Sequence, residues 1–179
     1  MYKLLLILCI YGILSCNESK KNTDMEKLRT VVKCAIDTII ADPWFLNDYY
    51  DYLNYFTHVP HISGTPPDSL HSELTKQFYY KMKPVKLDTN NIKCLHDIFP
   101  RKTSLQFIDI NTVKKIRRDQ NPPGKISCWI IGEFRQLGNL YYIEVGYSMT
   151  RLSGESGKFL IQLDSTNTCK ILDIRLGVS

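Results

Sequence analysis

The chain has 179 residues, 44% of them hydrophobic and 23% charged, with a formal net charge of +5. That length suits one domain, able to bury roughly two-thirds of its unfolded surface. It carries no internal repeat, no low-complexity block and no long apolar run after the first, which excludes a solenoid and further membrane-spanning helices.

The first element is the opening run, MYKLLLILCIYGILSC. Lys3 gives a positive start, and Leu4 to Leu14 carry no charge. A bilayer core of roughly 30 Å needs about 20 apolar residues at about 1.5 Å each, so this run is too short to span. It has the length of the apolar part of a secretory signal. It closes on Ile13-Leu14-Ser15-Cys16, a small residue directly before a cysteine. This resembles the lipobox of bacterial lipoproteins, with Leu14 where a small residue is often found. The resemblance covers residues 1–16. It implies a diacylglyceryl group on the Cys16 sulfur, cleavage before Cys16 and acylation of the new amino group. Each buried CH2 is worth about 0.8 kcal/mol, and two or more chains hold where one is marginal. The resemblance therefore implies a lipid-anchored protein of the bacterial cell envelope, its bilayer partner reached through acylated Cys16. Asn17 follows the cysteine where an aspartate would retain a Gram-negative lipoprotein in the inner membrane, which leans the expectation to the outer membrane. Residues 1–15 are thus read as signal peptide, 16–22 as lipidated cysteine and polar tether, and 23–179 as a single α+β domain.

Thr23-Asp-Met-Glu is a capping box, and Met25, Leu28, Val32, Ala35, Ile36 and Ile39 follow at helical spacing. Pro43 stops this helix near Asp42 and is placed to begin a second one, PWFLNDYYDYLNYF. HVPHISGTPP breaks that helix. Thr65 to Asp68 predict a third start, with Leu70, Leu74 and Phe78 on one stripe and Pro84 as its end. NNIKCLHDIF predicts one more short helix before Pro100.

After Pro100 the period changes. SLQFIDI alternates loosely, then ISCWIIGEF, LYYIEVGYSM, KFLIQL and CKILDIRL follow with QLGN, RLSGESG and DSTNT as turns. These predict an antiparallel meander. Tyr141, Ile143, Val145 and Tyr147 share one face of LYYIEVGYSM, continued by Phe159, Ile161, Leu163, Leu172, Ile174 and Leu176. That face is the expected core, covered by the helices. Trp129, Ile131, Glu133, Arg135, Tyr142, Glu144, Gln162, Asp173 and Arg175 make the opposite, mixed face. Helices first and strands after predict an α+β domain, N-terminal helices on a C-terminal antiparallel meander. The element order resembles the cystatin-like and nuclear transport factor 2-like cones, in which helices lie on a curved sheet.

Cys34, Cys94, Cys128 and Cys169 remain after the signal, and four cysteines allow three connectivities. An exported, oxidising setting permits disulfides, although buried thiols serve equally. The strand count puts Cys128 on the core face with Ile126, Ile130 and Phe134, and Cys169 opposite it with Ile171, Asp173 and Arg175. Cys128 and Cys169 are thus not expected to bond to each other. Any bridge should join Cys128 to Cys34 or Cys94 across the core.

Several motifs fail on inspection. GESGK lacks the glycine and hydroxyl of a phosphate loop, since Leu152 and Phe159 stand there, and it reads as a turn before a strand. As a nucleophile elbow it would need glycine where Lys158 stands, so Ser156 is no nucleophile. His58 and His61, with His71 and Glu73, are a metal set on paper but sit in a Pro-rich loop. Glu133 and Glu144 are a carboxylate pair that reads as ordinary ion pairs with Arg135 or Arg175. Lys114, Lys115, Arg117 and Arg118 read as a solvated basic face. No catalytic residue, metal site or cofactor is expected, and no nucleic-acid partner. The expectation is a binding or interaction module with an unidentified protein or small-molecule partner. Its candidate surface is Trp129, Glu133, Tyr142, Glu144 and Arg175, with the amphipathic rings of Tyr49 and Tyr50. The alternative is a small enzyme or ligand carrier with a pocket between sheet and helices.

Overall fold

The computed structural model describes residues 24–41, 53–58, 72–87, 91, 95, 97–98, 106–107, 109, 111–112, 115, 126–148 and 154–178. Helix α1 (residues 24–41) buries Leu28, Val31, Val32, Ala35, Ile36 and Ile39. These positions recur every three or four residues, so the apolar stripe expected from the sequence lies against the core. Its outer face carries the Lys33–Asp37 pair at 2.5 Å. Arg29 donates to both carboxylate oxygens of Asp97, at 2.8 and 2.7 Å.

The described residues form a seven-stranded sheet: β1 (Leu53–His58), β2 (Lys83–Pro84), β3 (Gln106–Phe107), β4 (Ile126–Leu137), β5 (Leu140–Ser148), β6 (Gly154–Leu163) and β7 (Cys169–Val178). The order is β3-β1-β4-β5-β6-β7, with β2 also paired to β4. β4 to β7 are the antiparallel meander expected from the sequence. The fold is α+β. Gly138, at φ 60°, takes the first of the two turn positions between β4 and β5. Only a residue without Cβ sits there at no steric cost, and the resulting turn matches strand twist.

Three expectations about the elements change. Residues 53–56, placed in a second helix, belong to β1, which pairs in parallel with β4 from Leu53↔Ile126 to His58↔Ile131. The run Asn-Tyr-Phe-Thr is rich in aromatic and β-branched character, and a pairing partner some seventy positions away decides its state. GESGK is not a turn but the start of β6, paired with β5 from Gly154↔Ser148 to Lys158↔Glu144. The third change concerns helix α2 (Glu73–Tyr79), which starts at Ser72, whose hydroxyl caps the backbone N–H of Thr75 at 3.0 Å. It buries Thr75 and Tyr79, while Leu74 is exposed and Phe78 half-buried.

α2 does not join α1. It covers the mixed face, where Tyr79 and Met82 pack with Tyr142 and Leu160. The core is thus two cores, one on each side of the sheet. α1 packs on Trp129, Ile131, Phe134, Tyr141, Ile143, Val145, Tyr147, Phe159 and Ile161.

Trp129 and Ile131 belong to that α1 face, contrary to the alternation count. The reason is a bulge in β4. Ile131 pairs with Val145 and Phe134 with Ile143, so Gly132 and Glu133 together stand opposite Glu144. Parity reverses there: Trp129 and Ile131 before it and Phe134 after it share the α1 face. A second bulge lies in β7, where Leu160 pairs with Asp173 but Ile161 pairs with Ile171. The extra residue, Leu172, goes to the α2 face with Asp173, and Cys169 and Ile171 pack on the α1 core. Ile174 and Leu176, expected in the core, are 39% and 40% exposed.

The same two reversals account for the cysteines. Cys34 of α1 is disulfide-bonded to Cys169 of β7. Cys128 and Cys169 are not joined, as expected, but the bridge to the helix is made by Cys169 and not by Cys128. Cys128 is a buried thiol whose Sγ lies 3.5 Å from the Trp129 carbonyl oxygen. Cys94 lies outside the described residues.

Gly132 is required by the first bulge. A Cβ there would stand 2.9 Å from the Glu144 Cβ and 3.2 Å from its carboxylate. Gly132→Ala is expected to cost about 1–3 kcal/mol, read as a lower denaturation midpoint in urea with an unchanged slope.

Candidate functional site

Among the described residues, two places bring polar chemistry to an apolar setting. The first is the mixed face beneath α2. Tyr79 donates to Glu133 Oε2 at 2.6 Å, and Arg135 Nε donates to Glu133 Oε1 at 2.5 Å. The Arg135 guanidinium lies 4.2 Å from the centre of the Tyr79 ring and also donates to the Met82 carbonyl at 3.3 Å. Next to them Tyr142 donates to Glu144 Oε1 at 2.8 Å, and Lys158 Nζ stands 3.4 Å from the same oxygen. Ser72 and Thr75 both donate to Asp173, which fastens the start of α2 to β7.

Burial and then the bond to Glu133 hold the Tyr79 hydroxyl far above the ordinary tyrosine value. Burial and then Glu144 do the same for Tyr142. Both phenols are therefore fixed donors. With both Glu133 oxygens engaged and the residue only 7% exposed, this face is a clasp between helix and sheet. Of the expected surface, Glu133 and Tyr142 are buried, Glu144 and Arg175 are half-buried, and Trp129 lies in the other core. Arg175 stands opposite Lys158, itself opposite Glu144, which makes a cross-strand row. Glu133→Ala would leave Arg135 without its carboxylate in a largely buried place. It is expected to cost about 3 kcal/mol in thermal or urea denaturation.

The second place is a cleft of about 350 Å³ on the α1 side. Its walls are the first turns of α1, the stretch after β2, and the hairpin end of β4 and β5. The floor is Met25, Leu28, Val85, Leu87, Phe134 and Tyr141. Leu28, Phe134 and Tyr141 are buried, and the other three are half-buried. The rim is Asp24, Lys27, Lys86, Asn91 and Gln136. Gln136 Nε2 donates to the Gly138 carbonyl at 2.9 Å and to the Tyr141 hydroxyl at 3.2 Å. The Val85 N–H donates to the Phe134 carbonyl at 2.9 Å, which continues the β2–β4 pairing and holds that wall.

The β4 bulge places this floor. Without it Phe134 would face α2 and the cleft would lose its base. Sequence reasoning put Met25, Leu28, Phe134 and Tyr141 on apolar faces but gave Val85 to Leu87 no role. Their alternation, apolar at Val85 and Leu87 around Lys86, is the signal, and three residues are too few to carry it alone.

Tyr49, Tyr50, His61, His71, Lys114, Arg117 and Arg118 lie outside the described residues, as does the opening run with Cys16. His58 closes β1, and Glu73 is exposed and pairs with Lys76 at 3.0 Å. Among the described residues no group of three or more His, Cys, Asp or Glu is disposed to hold a metal ion. No protein-family model, no curated protein and no solved structure matches the chain.

Proposed function

We propose that this is a lipid-anchored binding protein of the bacterial envelope that holds a small amphipathic ligand in the cleft between α1 and the sheet. One observation carries the reading: an apolar floor under a polar rim, in a space within the usual size of ligand pockets. The mixed face fits a binding role less well, because α2 already covers its centre. Two further features agree with export. The Ser15-Cys16 signal resembles a lipobox, and a Cys34–Cys169 disulfide suits an oxidising compartment. The space of about 350 Å³ corresponds to roughly a dozen water-sized groups of about 30 Å³, which suits a ligand of about ten to fifteen heavy atoms.

Photo-crosslinking tests this. The mature acylated protein in lipid nanodiscs is irradiated with a neutral diazirine-bearing octanol and digested. Labelled peptides should contain Met25–Leu28, Val85–Leu87 or Phe134–Tyr141. Labelling confined to α2 or β7 would overturn the cleft as the site.

A further inference from the structure

Resting on that reading, we infer that the cleft takes a single-chain amphiphile with an anionic head, its chain on the apolar floor and its head between Lys27 and Lys86. The two lysines come from different walls, α1 and the stretch after β2, and both line the same space. Among the described residues neither ammonium has an ion-pair or hydrogen-bond partner. Among the described residues Asp24 is the one carboxylate on the rim, so those residues give the mouth two positive charges and one negative.

The Tyr141 hydroxyl adds a neutral donor. It accepts from Gln136 Nε2, and among the described residues its own proton is not donated elsewhere. Burial, with the Asp24 charge behind it, raises its pKa, so the phenol stays protonated beside the floor. Two cations and one O–H donor around an apolar base suit a carboxylate or phosphate head on a chain of about eight to ten carbons.

The position of the cleft agrees with a membrane source for such a ligand. Asp24 is eight positions after Cys16. At about 3.3–3.6 Å per residue, the rim can stand no farther than about 29 Å from an acylated Cys16. An amphiphile leaving the bilayer surface therefore meets this mouth within the reach of the tether.

The test is competition against the diazirine octanol, with the acylated protein in nanodiscs. The competitors are octanoate, octyl phosphate, octanol and octylammonium. Octanoate and octyl phosphate should compete at least about tenfold better than octanol, and octylammonium worst. The double variant Lys27→Glu, Lys86→Glu should abolish the anionic advantage, read as the ratio of anion to octanol competition within the variant. Both side chains stand at the rim, and an unchanged thermal midpoint checks that the variant is folded. Asp24→Asn should strengthen the anionic competitors. Equal competition by all four, or preference for octylammonium, would overturn the anionic class and leave the cleft as a binding site. No cleft peptide labelled or protected by any of them would overturn both. Protection by octyl phosphate alone, or by octanoate alone, assigns the head group within the same class.

Discussion

Ile143→Asp is expected to unfold the domain or bring it close to unfolding. Ile143 is fully buried at the centre of the α1 face, flanked in the sheet by Phe134 and Phe159. The substitution removes an apolar side chain worth about 2–3 kcal/mol of burial. It also puts a carboxylate between Phe134 and Phe159 in an apolar cluster, with no cation in that cluster to receive it. A buried polar group without a partner costs several kcal/mol more. The sum, more than about 4 kcal/mol, is comparable with the whole stability of an ordinary domain. Glu144→Gln, one position away on the opposite face, is the control. An amide there still accepts from Tyr142 and loses only the charge opposite Lys158, for about 1 kcal/mol. Thermal denaturation of the two variants should differ by well over 10 °C. Equal or reversed effects would mean that the faces of β5 are wrongly assigned.

The second large effect belongs to the disulfide. Cys34 and Cys169 are separated by 135 residues, so their bond closes nearly the whole described domain. Loop-closure entropy for that length is about 17 cal/mol/K, or ~5 kcal/mol at 25 °C, and measured losses run at about 2–5 kcal/mol. Cys34→Ser and Cys169→Ser should each lose stability in that range, and the double variant no more than either alone, because one bond is removed in all three. Cys128→Ala should lose far less, since it removes a buried thiol and no cross-link. Non-reducing peptide mapping after alkylation should recover Cys34 joined to Cys169. Recovery of a Cys128–Cys169 peptide would contradict the register of at least one of β4 and β7.

β5 was legible in the sequence because Tyr141 to Tyr147 alternate without interruption, and the hydrophobic face of a strand has a period of two. α1 was legible for the same kind of reason at its own period. β4 and β7 were not, because a bulge inserts one residue that no composition rule flags and inverts every side chain beyond it. In β4 a trace did exist: Gly132 is an isolated glycine within an apolar run, which is how bulges and close backbone approaches often show. In β7 Leu172 carries no such mark. β1 was misread because LNYFTH has too few residues to separate the two periods, and its parallel partner lies far along the chain. The covering of the mixed face by α2 depends on Tyr79 meeting Glu133, a pairing made across the sheet and invisible along the sequence. The cleft inherits all of this. Its helix wall and two of its sheet residues could be placed from periodicity, and the wall at Val85 to Leu87 could not.

The proposed binding site is the space between α1 and the β4–β5 hairpin end. Methyl NMR of the labelled acylated protein in nanodiscs, titrated with octanoate, tests it most directly. Leu28, Val85 and Leu87 line the cleft, while Leu160 and Leu172 pack beneath α2 on the other side of the sheet. Octanoate is expected to give saturable shifts at Leu28, Val85 and Leu87 and to leave Leu160 and Leu172 unmoved. Shifts at Leu160 and Leu172 with the cleft methyls silent, or none that saturate, would contradict the proposed site.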